Sequence, residues 1–564
     1  MLNFYDFEVF ARDWLVVIIN PVDKTETVIV NDPNKLQEYY ETHKNEIWVG
    51  YNSKHYDSYI LKGILCGFNP KEINDYIIVE GKPGWRFSNA FRKVPLNDFD
   101  TMLKNDRGLK SLECFMGNDI EETSVPFDID RKLTYDELRE TIKYCRHDVE
   151  QTIEVFLKRK AEFDASMGLI KIFKLPLSKI SRTKAQLVSD ICGGIGKKFD
   201  DEFEFDFVPC LSKIKKYQHI VEWYKNPENH DYKKELALDV AGVPHVFAWG
   251  GIHGAIPQYI GEGIYLNADV NAYYPSTQLQ YKFGYRNMSK PENFELIHSE
   301  NLRLKAIDKK ARLPYKIADN SISGQLKDKH SKLYDPRMNN AVCVNGQLML
   351  LLLIEMVEPY AQLIQSNTDG ILLKLNRVED YEKIDDIVYE WECMTGMKME
   401  FDLFQKVFQK DVNNYVIVDS EGKYKSKGTY VKELSDLDYD LAIVNRALIN
   451  YMVHGISVEQ TVYECNSLRD FQKLVKVSGK YKGAWHNGAY LKNKCFRVFA
   501  SIDAHDTYIG KYKTEGATIE KFANTPDHCF INNGDINGAS ITAQLDRQWY
   551  IDLANKRLQQ FGVI

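Results

Sequence analysis

Residues 266–277 read LNADVNAYYPST. A strand-like run ends at Asp269, and Pro275 cannot donate to a strand ladder, so the chain turns soon after the carboxylate. One hundred residues later, QSNTDGILLKL (365–375) sets Asp369 in an N-T-D-G turn between two apolar strand-like runs. A hairpin tip of this kind can present Asp369 towards the end of another strand. Two aspartates brought together in this way can share a metal pair and bind a nucleoside triphosphate. Between them, KIADNSISG (316–324) spaces Lys316 and Asn320 four apart, on one face of a helix, with Lys316 able to meet phosphate charge.

The amino-terminal stretch carries a second set of carboxylates. Asp6 and Glu8 lie two apart in FYDFEVF, which reads as a strand, so both leave the same face. Asp57 closes YNSKHYD (51–57). Asp148 follows Tyr144 by four on a predicted helix that opens with a T-x-x-E capping box, Thr134 to Glu137. Four hard oxygen ligands can hold two Mg²⁺ or Mn²⁺ ions, one activating water and one stabilising the leaving oxygen of a phosphodiester. Tyr144 is placed to orient the attacking water. Taken singly, each of the 80 acidic residues reads as a solvated surface group, and the order of the set carries the reading. Asp98 and Asp100 in NDFDT are rival carboxylates, read as structural.

D-x-E, then N-x-x-x-Y-D, then Y-x-x-x-D resemble the three exonuclease motifs of proofreading 3′→5′ exonucleases in family B DNA polymerases, with Asn52, Tyr56 and Asp57 matching the second. Ser111 and Leu112 in LKSLECF resemble the single-strand-binding S-L motif of that domain, and Lys132 is a weaker candidate for its auxiliary lysine. The downstream signals resemble the polymerase motifs of the same family. D-V-N-A-Y-Y-P-S matches motif A, which implies a metal-binding Asp269 and a ribose-reading steric gate at Tyr274. K-x-x-x-N-S-x-x-G matches the fingers motif, and Lys427-Gly428 resembles the K-G element near the primer. Gly250 and Gly251 resemble the linker between exonuclease and polymerase. Four positions depart from the pattern. Asn367 replaces the first Asp of the usual D-T-D, Ser323 stands for a Tyr in motif B, Asn413-Asn414-Tyr415 stands where a Lys-rich K-x-Y is common, and Ala248 replaces an aromatic ahead of the linker glycines.

With 564 residues, the chain holds roughly four domain-sized units at about 150 residues each. Apolar usage of 44% is that of an ordinary globular protein. Ten scattered cysteines form no metal-knuckle spacing, and the longest apolar run, Leu348 to Ile354, is too short to span a bilayer. A soluble, unexported protein is expected, in a cytoplasm (the host's, if viral), with no membrane partner. The net charge of −7 opposes polyanion binding when averaged over the chain. Resolved along the chain, however, residues 301–337 hold ten Lys or Arg, among them Lys305 and Lys316, against four Asp. Residues 423–432 hold four Lys and no acid. Residues 473–497 hold seven basic residues, Lys480 and Lys482 included, interleaved with Tyr481, Trp485, Tyr490 and Phe496 and without acids, a composition suited to a nucleic-acid groove.

The resemblance implies an α/β and α+β multidomain chain, in which an RNase H-like exonuclease domain precedes a right-hand polymerase of palm, fingers and thumb. Expected boundaries are 1–165 for the 3′→5′ exonuclease, 166–240 for a helical connector, 241–300 and 346–435 for the palm, 301–345 for the fingers, and 436–564 for the thumb and C-terminal region. The implied activity is a phage-type replicative DNA polymerase acting as a monomer on primer–template DNA and single-stranded DNA. It takes dNTPs and two Mg²⁺ or Mn²⁺ per active site, beside replisome proteins such as a helicase and a single-strand-binding protein. Only 47 residues separate Asp269 from Lys316, and 53 separate Lys316 from Asp369. Protein-primed replicases carry inserted subdomains between motifs A and B and between B and C; there is little room here for the first, so a nucleic-acid primer is expected over protein priming. Two other readings are a stand-alone 3′→5′ exonuclease with a degenerate polymerase half and a non-catalytic replisome scaffold that binds DNA.

Overall fold

A computed structural model describes residues 1–516 and 518–564. It is a mixed α/β multidomain structure that divides into two compact units. The first comprises Met1–Thr183, Leu434–Ala442 and Cys465–Trp549, and the second Lys184–Glu433, Ile443–Glu464 and Tyr550–Ile564. The stretch expected as thumb and C-terminal region is thus shared between the two.

In the first unit, β1 (Leu2–Val9), β2 (Trp14–Asn20), β3 (Thr25–Val30), β4 (Ile47–Gly50) and β5 (Asn97–Asp100) form a sheet in the order β3-β2-β1-β4-β5. β2 runs antiparallel to β1 and β3, whereas β1, β4 and β5 are parallel. Strand alternation gives each face of β1 its own partner. Tyr5, Phe7 and Val9 share one cluster with Ile60, Leu61 and Ile64 of helix α1 (Asp57–Leu65). Phe4 packs on the opposite face with Cys145, Val149 and Phe156. A shorter helix, α2 (Leu109–Met116), and a long one, α3 (Tyr135–Lys158), complete this part. α3 begins at the predicted capping box: Thr134 Oγ1 accepts from Glu137 N, and the Glu137 carboxylate accepts from Thr134 N at 2.8 Å.

The second unit is built on nine strands: β6 (Leu236–Val240), β7 (Val243–Phe247), β8 (His253–Ala255), β9 (Tyr259–Val270), β10 (Gln362–Ser366), β11 (Gly370–Leu375), β12 (Met399–Asp411), β13 (Asn414–Val418) and β14 (Tyr424–Lys427). They form one antiparallel sheet in the order β14-β13-β12-β9-β11-β10-β8-β7-β6. The helices used below are α4 (Tyr273–Gln280), α5 (Pro291–Arg303), α6 (Lys309–Gln325), α7 (Pro336–Val357) and α8 (Asp380–Thr395). α7 holds the Leu-rich run and is buried from Leu348 to Ile354; by length and composition alone it could cross a membrane, but 83% of that window is packed inside the protein. Asp335 caps its start, and Trp391 of α8 donates its indole N–H to Met349 O at 2.7 Å.

Residues 465–549 return to the first unit as two small sheets. β15 (Lys473–Lys476), β18 (Cys495–Ala500) and β21 (Cys529–Ile531) form one, in the order β15-β18-β21. β16 (Gly483–His486), β17 (Ala489–Leu491), β19 (Gly510–Tyr512) and β20 (Glu520–Lys521) form the other.

Candidate active sites

In the second unit, the strand pairing brings the two motif aspartates together. Asp269, near the end of β9, lies opposite Gly370 on β11 and opposite Glu400 on β12. A Cβ on Gly370 would fall 2.1 Å from Asp269 Oδ1, so the absence of a side chain there is what admits the carboxylate. Asp369 precedes that glycine, and its carbonyl accepts from Val270 N at 2.7 Å. Asn367, the departure from D-T-D, makes the turn: its Oδ1 accepts from Asp369 N and Gly370 N, each at 3.1 Å. A cavity of about 220 Å³ opens over the pair, lined also by Asn267, Gln365, Asn367, Tyr415 and Lys425. Asn267 sits two residues before Asp269, on the same strand face, and donates to its Oδ2 at 2.6 Å. The Oε1 of Gln365 is buried without a hydrogen-bond partner.

Both carboxyls are held above the usual range. Burial is the main cause for each, and for Asp269 the charge of Asp369 adds to it; Asn267 for Asp269, and the backbone N–H and Lys427 for Asp369, pull the other way. Neither aspartate is in an ion pair among the described residues, which leaves two hard oxygen donors facing each other. That is the donor chemistry of a Mg²⁺ or Mn²⁺ site.

The other expected residues of this unit take varied places. Tyr274 is half-buried at the start of α4, stacked on Tyr273 at 6.0 Å, and within electrostatic range of Asp369. Lys316 and Asn320 are exposed one turn apart on α6, and no described ion pair involves Lys316. Lys305 pairs instead with Glu400, the cross-strand neighbour of Asp269, and donates to Asn271 Oδ1 at 3.1 Å. Ser323 donates to Gln278 Oε1 of α4 at 2.7 Å. Gly251 lies against the turn, since a Cβ there would be 2.8 Å from Thr368 Oγ1, and the Gly250 carbonyl accepts from Gln347 Nε2. Lys427 lies opposite Tyr415, and Gly428 takes φ +128° where a Cβ would meet Asn414 Oδ1 at 2.6 Å.

In the first unit, Asp6, Glu8, Asp57, Asp148 and Tyr144 form one electrostatic cluster. Asp6 and Glu8 leave β1 on the face of Phe4, towards α3. Asp57 opens α1 and accepts from Phe7 N at 3.1 Å. Tyr144 and Asp148 stand one turn apart on α3. Burial, with mutual repulsion added, raises Asp6 and Glu8 well above the usual carboxyl range. Burial likewise brings Asp57 up to about 8 and Asp148 to about 6. Packed carboxylates that repel one another form the charge arrangement a divalent cation relieves, and the oxygens fit Mg²⁺ or Mn²⁺.

Among the described residues Lys110 is the lysine ion-paired at this cluster, a residue not singled out from the sequence. Its Nζ bonds the Asp148 carboxylate, lies 3.0 Å from Glu113 Oε1 and sits over the Tyr144 ring at 4.6 Å. Lys132, the weaker candidate for an auxiliary lysine, is exposed ahead of α3, and no described ion pair involves it. Glu113 is fully buried, with His147 Nε2 at 3.6 Å. Ser111 and Leu112 are each 1% exposed, and Leu112 packs in a core cluster, so neither side chain offers surface to a bound strand. Asn52 takes φ +63° and donates its backbone N–H to Asp100, while Tyr56 donates to Asn74 Oδ1 at 2.8 Å. Asp98 accepts from Ser53 and Tyr5, and Asp100 from three backbone amides, which are structural tasks. Lys480 and Lys482 are exposed between β15 and β16, with Lys482 3.6 Å from Glu515.

No family model and no curated protein matches the chain. Among solved structures, it is similar to the family B DNA polymerase from the hyperthermophilic archaeon Pyrobaculum calidifontis, at 13% identity and a TM-score of 0.41, over 100% of this chain and 78% of that one.

Proposed function

We propose that this protein is a DNA-directed DNA polymerase of the family B type that also carries a 3′→5′ proofreading exonuclease. The single observation behind this reading is the pairing of two separate carboxylate centres, one in each unit, both assembled from the motif residues in their motif order. Within it, the second unit carries palm and fingers, the first an RNase H-like nuclease, and the substrate is a nucleic-acid primer on a template. A replicative, phage-type role in a cytoplasm, beside a helicase and a single-strand-binding protein, belongs to the same reading.

For extension, Asp269 and Asp369 are the ligands of a divalent pair. Bound there, such ions lower the pKa of the primer 3′-hydroxyl and neutralise charge on the triphosphate. The chain's own groups do the positioning. Asn267 fixes the Asp269 carboxylate by a hydrogen bond, and Asn367 fixes the turn that aims Asp369. Lys316, exposed and free of a described ion pair, meets the triphosphate, while Tyr274 lies against the sugar and excludes a 2′-hydroxyl. The 3′-hydroxyl gives its proton to solvent, its oxygen bonds the α-phosphorus, the bond from that phosphorus to the oxygen bridging to the β-phosphate breaks, and pyrophosphate leaves. For proofreading, Asp6, Glu8, Asp57 and Asp148 hold the metals, Tyr144 orients the water, and Lys110 keeps Asp148 in place. The water oxygen bonds the phosphorus, the bond from that phosphorus to the 3′-oxygen of the preceding nucleotide breaks, this oxygen takes up a proton from the water, and the terminal nucleotide leaves as a 5′-monophosphate.

Paired variants test the assignment on a labelled primer–template with Mg²⁺. Asp369→Ala should abolish extension and spare degradation, and Asp6→Ala should do the reverse. Primer extension by Asp369→Ala would remove Asp369 from the site. Degradation by the wild type both with and without dNTPs would favour the nuclease with a degenerate polymerase half, a rival that the Asn367 and Ser323 departures keep in view.

A further inference from the structure

We propose that the C-terminal segment Cys465–Trp549 is a working part of the nuclease, with Arg497 acting as a positioning residue for Lys110 through helix α2. This deepens the nuclease reading of the carboxylate cluster and rests on it.

The last carbonyls of an α-helix have no partner within the helix and carry the negative end of its dipole. In α2, Gly117 N and Asn118 N donate to Cys114 O and Glu113 O, each at 3.1 Å, and side chains far along the chain meet the same end. Arg497 donates through one terminal nitrogen to Cys114 O at 3.1 Å, Glu113 O at 3.5 Å and Asn118 O at 2.8 Å. Its other terminal nitrogen donates to Gly534 O at 2.6 Å, and its Nε to Gln472 Oε1 at 2.9 Å. Arg469 adds two bonds to Phe115 O, at 3.0 and 2.6 Å. Arg497 is 0% exposed, so its charge is spread over carbonyl oxygens with no carboxylate bonded to it. A buried guanidinium committed in this way fixes several backbone groups at once, because its donors lie in one rigid plane.

The other end of α2 bears Lys110, and Cys495 Sγ, two residues before Arg497, donates to the Lys110 carbonyl at 3.4 Å. Lys110 reaches Asp148 and the Tyr144 ring from this helix, and both belong to the carboxylate cluster. α2 is only eight residues long, and within it only the Glu113 pair and the Gly117 cap support Lys110, so the Arg497 clamp adds to a short element with few holds of its own. Arg497 itself touches none of the four carboxylates; its effect passes through the helix.

The test compares Arg497→Met, Arg497→Lys and Arg469→Gln in the full chain, each alone and with Lys110→Ala. Arg497→Met should lower the nuclease kcat by about tenfold or more, with KM for single-stranded DNA and primer extension little changed, and Arg497→Lys should recover part of the loss. In the Lys110→Ala background, Arg497→Met should add less than about twofold. A purely structural role would cost as much in both backgrounds, and that result would overturn the proposal. Should Arg497→Met fail to fold, Arg469→Gln loosens the same helix end and should lower kcat in the same direction; an unchanged kcat there would also overturn it. A second readout needs no activity: acetylation by a succinimidyl ester, read by mass spectrometry with the exposed Lys143 as reference. Lys110 should be protected in the wild type and unmasked in both Arg497→Met and Arg469→Gln. Unchanged labelling refutes the clamp even if the wild type degrades DNA. Unmasking in the two variants, where the wild type shows no nuclease activity, refutes the nuclease reading and leaves the clamp standing.

Discussion

Gly370→Ala tests the geometry of the polymerase pair without removing either carboxylate. An ideal Cβ at this position would stand 2.1 Å from Asp269 Oδ1, 2.7 Å from Ala268 O and 3.1 Å from Asp269 Cα. Ordinary contact begins at 3.4 Å, so 3.4 − 2.1 = 1.3 Å of movement is needed at the carboxylate oxygen and 3.4 − 2.7 = 0.7 Å at the backbone. Rotating the Asp269 side chain relieves only the first clash; the second requires β9 and β11 to part. Either motion displaces Asp269 from Asp369. Overpacking of this size costs about 1–3 kcal/mol of stability, and a misplacement of about 1 Å at a reacting centre can cost on the order of 10²-fold in rate. The expected outcome is a modestly lower melting temperature and roughly a hundredfold slower single-nucleotide incorporation, measured by rapid quench with saturating dNTP. Degradation of single-stranded DNA should be unchanged. Incorporation at the wild-type rate by Gly370→Ala would refute the placement of Asp269 against the hairpin.

Asn367→Ala should cost about 1 kcal/mol and slow extension, because two backbone amides lose their acceptor, whereas Asn367→Asp keeps the acceptor and should retain extension. Tyr274→Ala should raise incorporation of ribonucleotides relative to deoxyribonucleotides, scored by competition on one template; unaltered discrimination would take Tyr274 off the sugar. Lys110→Ala should slow degradation at least about tenfold while Lys132→Ala leaves it intact, and the reverse ranking would return the auxiliary role to Lys132. The raised carboxyls of the first unit give a pH test. Their folded pKa values, about 8 for Asp57 and about 6 for Asp148, exceed unfolded values near 4, so the stability they contribute without metal is fully present below about pH 4 and is lost progressively as pH rises to about 6 for Asp148 and about 8 for Asp57. Metal binds the deprotonated forms, so the Mn²⁺-induced rise in melting temperature should grow from pH 5.5 to pH 8 and shrink in Asp57→Asn; a rise independent of pH would contradict the cluster's protonation.

Local periodicity made much of both sites legible. Alternation along a strand puts Asp6 and Glu8 on one face, and helical spacing does the same for Tyr144 and Asp148. Asn267 was within reach of the same rule, two residues before Asp269, but a neutral amide carries no motif signal. Asn367 reads as a lost ligand in sequence, whereas in the fold it is the acceptor that shapes the turn. Lys110 was hidden for a different reason: it meets Asp148 only because α2 packs against α3, across 38 residues of chain, and no spacing rule describes that approach. The contribution of residues 465–549 to the first unit was hidden further still. Arg497 reads as one more basic residue in an aromatic-rich segment, and its bond to Cys114 spans 383 positions. Contacts of that length are set by tertiary packing, on which local pattern is silent.

The most direct test of a two-centre enzyme is the wild-type chain on a labelled primer–template with Mg²⁺, with and without dNTPs. Primer lengthening with dNTPs and shortening from the 3′ end without them is the predicted pair of results. Shortening under both conditions, or no change under either, would contradict it.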